Sequence, residues 1–345
     1  MSKIQIQQRK KDHVELTSNE STQYAKTSGF EKYEFVHNAL PEIDYNQVST
    51  ETDFLGNTFA FPLFISSMTG GYEGASSINA IIAEFCEKYN LPFGVGSQRA
   101  MLEDANQTKT FSIVRKKAPS AFICANIGGA QLINGLHKDK VQALIDSIEA
   151  NAIIVHLNPL QELMQPEGDR NFTGILDGIQ NLVLESHVPI IVKETGAGIS
   201  KYVAKKLLNV GVSVIDIAGS GGTSWAKVEN ARKDEQDSSS LFDEWGISTV
   251  DCLLDIGALQ WERNFELIAS GGIRSSFDIA KSICLGASFA ATAQPLIKVI
   301  RKDGMEGLEA LFTAWQKDLK IILTLLGCSN LKELNNSHIR LKTGL

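Results

Sequence analysis

Eight repeats of one theme, a short apolar run followed by an amphipathic stretch, predict an α/β chain closed into a (β/α)8 TIM barrel. The length of 345 residues agrees, being enough for one large barrel with additions. The texture of the runs agrees too. Strands buried on both faces of a parallel sheet are nearly continuous in Val, Ile, Phe and Ala. The runs fall at 61–66, 93–97, 121–126, 152–157, 188–194, 212–218, 266–270 and 287–293. Helical spacing fills the gaps at 78–89, 141–150, 175–185, 199–209 and 277–285. In the first of these, Ile81, Ile82, Phe85 and Tyr89 share a face, and Asn90-Leu91-Pro92 stops the helix. Gly211 and Gly286 stand just past helix ends, where a left-handed residue is favoured. So even a count of units favours a closed barrel over an open doubly wound sheet.

Two segments break the rhythm. Residues 1–50 are polar, with Phe30, Tyr33 and Phe35 among them, and are expected to form an N-terminal arm or cap. Residues 224–261, after the sixth strand, are too long for a plain connection and are expected to form a lid-like loop insertion. Its run from Lys233 to Ser240 is read as solvated and mobile. A merely ornamental insertion is the alternative.

Composition narrows the function. Lys plus Arg number 33 against 40 Asp plus Glu, a net charge of −7, which argues against a nucleic-acid partner. The five cysteines, Cys86, Cys124, Cys252, Cys284 and Cys328, are scattered and odd in number. They suggest neither a disulfide framework nor a zinc site, and fit reduced thiols in a cytoplasmic protein. No apolar run approaches the ~18 residues of a membrane helix. The basic cluster Arg9-Lys10-Lys11 leads into Asp12, His13 and Glu15 rather than the apolar stretch of a signal peptide.

In a barrel, chemistry sits at the carboxyl ends of the strands. Here those ends are polar: Ser66-Ser67-Met68-Thr69-Gly70-Gly71, Gly96-Ser97-Gln98-Arg99, Asn126-Ile127-Gly128-Gly129, His156-Leu157-Asn158-Pro159-Leu160-Gln161-Glu162, Lys193-Glu194 and Gly219-Ser220-Gly221-Gly222-Thr223. Each alone could be a turn or a satisfied core group, but together they mark one rim. After strand seven comes Ser270-Gly271-Gly272-Ile273-Arg274, and strand eight ends in Ala291-Thr292-Ala293-Gln294. Glycines let backbone N–H groups approach a phosphate, and this is the usual phosphate position in such barrels. Thr223 could add a hydroxyl donor. The ligand phosphate could belong to a flavin mononucleotide or to a sugar phosphate.

Lys193 ends an apolar strand, where a cation is costly unless partnered. It could form a Schiff base, face the electron-rich edge of a flavin, or pair with Glu194 or another rim carboxylate. A second anion site could come from Arg9, Lys10, Arg99 and His156. Glu162 could hold a Mg2+ that bridges a diphosphate. The competing readings are a solvated basic tail and a turn-capping carboxylate.

These motifs resemble the type 2, FMN-dependent isopentenyl-diphosphate isomerases. The likeness runs from Arg9-Lys10-Lys11-Asp12-His13 to Ala293-Gln294, and its most specific part is His156-Leu157-Asn158-Pro159-Leu160-Gln161-Glu162-Leu163 with Pro166-Glu167-Gly168-Asp169-Arg170-Asn171-Phe172. Ser67 departs from the Ala common in the family, and Thr195-Gly196-Ala197-Gly198 and Ser224-Trp225 also vary. The resemblance implies that residues 1–345 form a single FMN-binding barrel domain. It implies FMN contacts from Ser67, Met68, Thr69, Ser97, Asn126, Lys193 and Thr223, with the phosphate on Gly271, Gly272, Arg274, Ala293 and Gln294. It implies substrate contacts from Arg9, Lys10, Ser97, Arg99, Asn126, His156 and Gln161, with Glu162 on Mg2+ and Gln161 as the candidate catalytic residue. Arg9 and Lys10 would reach a neighbouring or a folded-back active site. The implied activity is interconversion of isopentenyl and dimethylallyl diphosphate in isoprenoid biosynthesis, with NADPH reducing the flavin. A homo-tetramer or homo-octamer is expected, with a small diphosphate as the partner and neither nucleic acid nor membrane.

The alternative is an FMN-dependent oxidoreductase of the 2-hydroxy-acid oxidase or dihydroorotate dehydrogenase type. A hydroxy-acid oxidase would need a His base near an Arg on the late strands, and no histidine lies between His187 and His338. A nucleotide dehydrogenase with a cysteine nucleophile near strand six finds no cysteine in Gly219-Ser220-Gly221-Gly222-Thr223. A non-catalytic flavin-binding scaffold would have no use for Gln161, Glu162 and Lys193 together.

Overall fold

In the computed structural model, which describes residues 3–133, 138–233 and 239–342, eight parallel strands close into a barrel. The strands are β4 (Leu63–Ile65), β5 (Phe93–Gly94), β6 (Ile123–Gly128), β7 (Ala152–Leu157), β8 (Ile190–Glu194), β9 (Val214–Asp216), β10 (Glu266–Ser270) and β11 (Phe289–Thr292). β11 pairs with β4 and β9 with β10, which closes the ring. Every expected run contributes its strand, in order.

The outer layer is built from α2 (Ala75–Tyr89), α4 (Lys109–Lys117), α5 (Lys138–Asp146), α7 (Ile175–Glu185), α8 (Lys201–Asn209), α10 (Thr249–Gly257), α11 (Ser276–Cys284) and α12 (Gln294–Leu326). Each turns one apolar stripe inward. In α2 that stripe includes Ile82, Phe85 and Cys86, all buried. Gly211 and Gly286 have φ of 93° and 98°, the left-handed geometry expected past a helix end. Short helices α3 (Arg99–Glu103), α6 (Pro159–Met164) and α9 (Trp225–Asn230) lie in the loops above the strands.

The barrel interior is filled by Phe64, Ile154, Ile191, Val214, Ile268 and Phe289. At its amino-terminal end an antiparallel hairpin, β2 (Thr52–Phe54) with β3 (Asn57–Phe59), supplies two further rings. Phe59 meets Phe122 at 5.8 Å and Phe289 at 5.7 Å, both edge-on, and Phe54 meets Phe289 at 5.0 Å. The hairpin therefore plugs one mouth, leaving the carboxyl-end mouth for the site. A second pair, β1 (Tyr33–Phe35) with β12 (Ile339–Leu341), joins early and late segments outside the barrel.

One expectation gains detail and one changes. The polar arm contains a long helix, α1 (Lys3–Thr17), which folds back over the chain's own barrel. The 224–261 segment is not one loop, because its second half is α10, the barrel's sixth outer helix. Ser248 caps α10 by accepting from Asp251 N, and Val250, Leu253 and Ile256 are buried at helical spacing. The insertion proper therefore ends before residue 249. Residues 234–238 of the run read as mobile lie outside the described residues.

Candidate active site

At the carboxyl ends of the strands lies a cavity of about 270 Å3. Every residue expected to touch cofactor, substrate or metal lines it. The group comprises Ser67, Met68 and Thr69 after β4, Ser97 and Arg99 after β5, and Asn126, His156 and Lys193 on β6, β7 and β8. Gln161 and Glu162 come from α6, Thr223 from the loop after β9, Gly271, Gly272 and Arg274 from the loop after β10, and Ala293 and Gln294 from the start of α12. Arg9 and Lys10 enter from α1 of the same chain, so the folded-back arrangement is the observed one.

The floor is a band of polar groups carried by the strands. His156, Lys193 and Asp216 are register partners on adjacent parallel strands and so share a face. Asn126 donates from Nδ2 to Val95 O at 2.9 Å, which leaves its Oδ1 to accept from His156 Nδ1 at 2.8 Å. That bond puts the proton on Nδ1 and leaves Nε2 as the second ring nitrogen. Burial, with Lys193 and Lys10 nearby, pushes His156 down to about 3, so the ring is neutral. Asn126 is itself held by Gln98, whose Oε1 accepts from Asn126 N at 2.9 Å.

Lys193 does not pair with the Glu194 carboxylate. Its Nζ donates to the Glu194 backbone carbonyl at 2.5 Å. Neighbouring strand residues point to opposite faces, so the Glu194 side chain turns away. Its Oε2 accepts from the backbone N–H groups of Thr195, Gly196, Ala197 and Gly198 at 2.5 to 3.2 Å. The carboxylate facing Lys193 is Asp216, wholly buried, which accepts from Ser270 Oγ. Burial pushes the Asp216 carboxyl up, while Lys193 and Ser270 partly hold it down. Asp216 was missed from the sequence, although a carboxylate ending an apolar strand invites the argument made for Lys193.

One wall is the glycine cradle. Gly271 has φ of 101°, and a Cβ there would lie 1.9 Å from Gly219 O, so only glycine lets these two loops pack. Gly219 N donates to Ser270 O at 2.8 Å, and Tyr24 N donates to Gly222 O at 2.9 Å from the arm. Arg274 donates to Gly221 O and to Gln23 Oε1, each at 3.0 Å. Gln23 Nε2 in turn donates to Thr223 Oγ1 at 3.1 Å, which leaves the Thr223 hydroxyl proton to donate elsewhere. Nearby, Ser67 Oγ is buried with no hydrogen-bond partner among the described residues. A cradle of close-packed backbone and an unspent buried hydroxyl suit a phosphorylated cofactor.

The opposite wall is charged. Lys10 Nζ donates to Ser97 O at 2.9 Å, and burial, aided by Arg9 and Arg99 and opposed by Glu103, pushes its ammonium down to about 7. Arg9 lies 3.9 Å from Glu167, and Arg99 lies 3.3 Å from Asp169. Glu167 and Asp169 belong to the loop after α6, which packs so closely that a Cβ on Gly168 would lie 1.9 Å from Glu162 O. Glu162 accepts from Asn158 Nδ2 at 3.0 Å and from Asp169 N at 2.8 Å. Among the described residues no cluster of three His, Cys, Asp or Glu forms a ready-made metal site.

Gln161 sits between these walls with both amide ends assigned. Its Nε2 donates to Glu229 Oε1 at 3.1 Å, and its Oε1 accepts from Asn158 Nδ2 at 3.1 Å. Glu229 is fully buried on α9, its Oε1 lies 2.9 Å from His13 Nε2, and its Oε2 accepts from Arg232 at 2.5 Å. Burial works to raise its carboxyl, and His13, Arg232 and Gln161 more than offset this, holding it low. Trp225 meets His13 edge-on at 5.0 Å. Sequence reasoning missed His13, Asn158 and Glu229 as site residues. The signal for His13 was present: Arg9, Lys10, His13, Val14 and Thr17 all line the cavity, one face of a helix.

A glycine cradle above a parallel (β/α)8 barrel, beside a buried lysine, suits a flavin mononucleotide enzyme. The chain belongs to the FMN-dependent dehydrogenase family, whose model matches residues 5–123 and 139–341, and within it to the isopentenyl-diphosphate delta-isomerases. It is 44% identical over 342 residues to the isopentenyl-diphosphate delta-isomerase of Chlorobium phaeovibrioides, covering 96% of each chain. It is 42% identical over 340 residues to that of Rickettsia canadensis, covering 97% of each. Among solved structures, a flavocytochrome b2 variant superposes with a TM-score of 0.71 at 18% identity, covering 97% of this chain and 83% of that one. A mandelate oxidase variant gives 0.69 at 14%, covering 100% and 99%. At such identities these two likenesses speak for the fold alone.

Proposed function

We propose that this chain interconverts isopentenyl diphosphate and dimethylallyl diphosphate, with reduced FMN and a Mg2+ held at one cavity. The observation that carries the reading is that two separate walls, one of glycine-rich backbone and one of basic side chains, open into that cavity, with an oriented amide between them. A single phosphorylated ligand would leave one wall without a purpose. The glycine cradle, with Arg274, Thr223, Ala293 and Gln294, would hold the FMN phosphate. Ser67, Met68, Thr69, Ser97, Asn126 and Lys193 would face the rest of the flavin. Arg9, Lys10, Arg99 and His156, with Ser97 and Asn126, would hold the diphosphate. Glu162 would hold Mg2+ together with diphosphate oxygens and water, since one carboxylate and phosphate oxygens are a sufficient set for that ion.

The reaction adds a proton to the terminal alkene carbon and removes one two carbons away, with no net oxidation. When bound and reduced, FMN supplies the acid–base group that the wall residues lack. The chain does the rest. Lys193 places a fixed cation at the floor, which favours an anionic form of a bound ring. Gln161, gripped by Glu229 and Asn158, presents an amide of one orientation to the reacting carbons. α1 and the loop after α6 cover the mouth and exclude water, which protects cationic character in the substrate.

NADPH is proposed as the reductant of the flavin, the cytoplasm as the setting, and residues 1–345 as one functional domain. Among the described residues no helix is long and apolar enough to cross a membrane. A homo-tetramer or homo-octamer is proposed, supported by large apolar side chains left exposed, among them Leu241 at 86%, Trp245 at 61% and Trp261 at 94%.

The test is an anaerobic assay with FMN, Mg2+ and isopentenyl diphosphate, with and without NADPH. Dimethylallyl diphosphate should form only once the flavin is reduced, without stoichiometric consumption of NADPH. No product from protein carrying reduced FMN would overturn the reading.

A further inference from the structure

Arg232, just beyond α9, is absent from the sequence expectations, yet it lies between three parts of the site. One guanidinium nitrogen donates to Glu229 Oε2 at 2.5 Å, and the other terminal nitrogen donates to Glu167 Oε1 at 3.0 Å. Its Nε lies 3.9 Å from Asp12 Oδ2 on α1. The side chain is only 14% exposed, and the Glu229 side chain is wholly buried. A single planar fork thus bonds the insertion helix to the loop after α6 and places a charge beside Asp12 of the N-terminal helix.

Two consequences follow from which oxygens are taken. Because Arg232 occupies Oε2 of Glu229, Oε1 is left to accept from Gln161 Nε2. Without the guanidinium, a buried carboxylate would be short of a partner and would turn or take up a proton, and either change would release the amide. Arg232 also holds the two carboxylates that face the helix carrying Arg9, Lys10 and His13: Glu229 lies 2.9 Å from His13 and Glu167 3.9 Å from Arg9, with Asp12 itself 3.9 Å from Arg232. The far end of that helix is held separately, where Arg301 donates to Ser18 Oγ at 3.1 Å and to Val14 O at 3.4 Å.

We propose that Arg232 is a positioning residue for the double-bond shift, fixing the Gln161 amide through Glu229 and fastening the N-terminal helix over the cavity. This rests on the isomerase reading above.

The experiment uses the FMN-loaded protein and two readouts: hydrogen–deuterium exchange of α1, and kcat and KM for isopentenyl diphosphate. Arg232→Gln should lower kcat by about a hundredfold, the scale of misplacing a reacting group by an ångström, and speed exchange in α1. Its flavin content should stay native. Arg232→Lys should restore part of the exchange protection but little kcat, since an ammonium cannot bridge both carboxylates as the fork does. Glu167→Gln is the milder variant should Arg232→Gln fail to fold. It removes the ion pairs of Glu167 with Arg9 and Arg232 but leaves the Glu229–Gln161 contact, so exchange in α1 should rise in part and KM with it, while kcat holds. Native exchange and native kcat in Arg232→Gln, or native exchange in Glu167→Gln, overturn the proposal. If the wild-type protein turns over no isopentenyl diphosphate, the isomerase reading fails alone, and the exchange comparison still decides whether Arg232 fastens the helix.

Discussion

Lys10 is an ammonium whose pKa burial pushes down to about 7, so in the free protein it is charged below neutrality and neutral above it. A diphosphate needs the charged form. Above pH 7, binding must be accompanied by proton uptake, so KM for isopentenyl diphosphate should rise by up to about tenfold per pH unit. Lys10→Met should raise KM at low pH and flatten that slope, as steady-state kinetics between pH 6 and 9 would show. Gln161→Ala should cut kcat by about a hundredfold with FMN content unchanged, a loss in the range of acid–base and orienting groups. An unaltered kcat would remove Gln161 from the mechanism. Glu162→Gln should raise the Mg2+ concentration for half-maximal rate by about tenfold, and an unchanged metal titration would overturn the assignment. The residues that carry these predictions were legible because motif chemistry is local. Glu229, Asn158 and Arg232 were not, because their importance lies in which side chain each meets: Glu229 and Arg232 meet Gln161 and Glu167 some 65 to 68 positions away.

At the scale of elements, hydrophobic period decided what could be read. β7 and β10 match their runs end to end, and α7 matches its helix, because both patterns come from burial in one known geometry. α10 was hidden in an insertion made long by its polar first half. α1 was hidden for a different reason. The face that it buries is Arg9, Lys10 and His13, turned to a polar cavity, so it carries no apolar stripe to detect. The β2–β3 hairpin falls between the arm, which ends at residue 50, and the first apolar run at 61, and it was not foreseen, since three-residue strands are too short to show alternation. Its structural weight can be measured. Phe59 is 2% exposed and packs edge-on against two rings, so Phe59→Ala should cost about 3–5 kcal/mol in urea unfolding. A loss well under 1 kcal/mol would show that the plug is dispensable.

At the scale of the molecule, the barrel sorts its surface into a plugged end and a working end, and the working end gathers residues from Arg9 to Gln294. The outer surface carries exposed Trp245 and Trp261, large apolar side chains that contacts between copies would cover. Light scattering coupled to gel filtration should give a mass of four or eight copies. Replacing Trp245 and Trp261 with Gln should shift the distribution toward smaller species; a monomeric native protein would refute the assembly.

The order of strands and helices, the position of the rim and the residues of its glycine-rich and basic walls were determined by the sequence itself. Burial on both faces imposes continuous apolar runs, and phosphate approach demands glycine, so each requirement is written where it acts. The fold-back of α1 onto its own barrel, the placing of Asp216 rather than the Glu194 side chain on the face that carries Lys193, and the chain of contacts from Arg232 through Glu229 to Gln161 were decided only by tertiary structure. Such choices depend on which distant groups become neighbours once water is expelled, and a polar side chain satisfied by a distant partner leaves no period in the sequence to announce it.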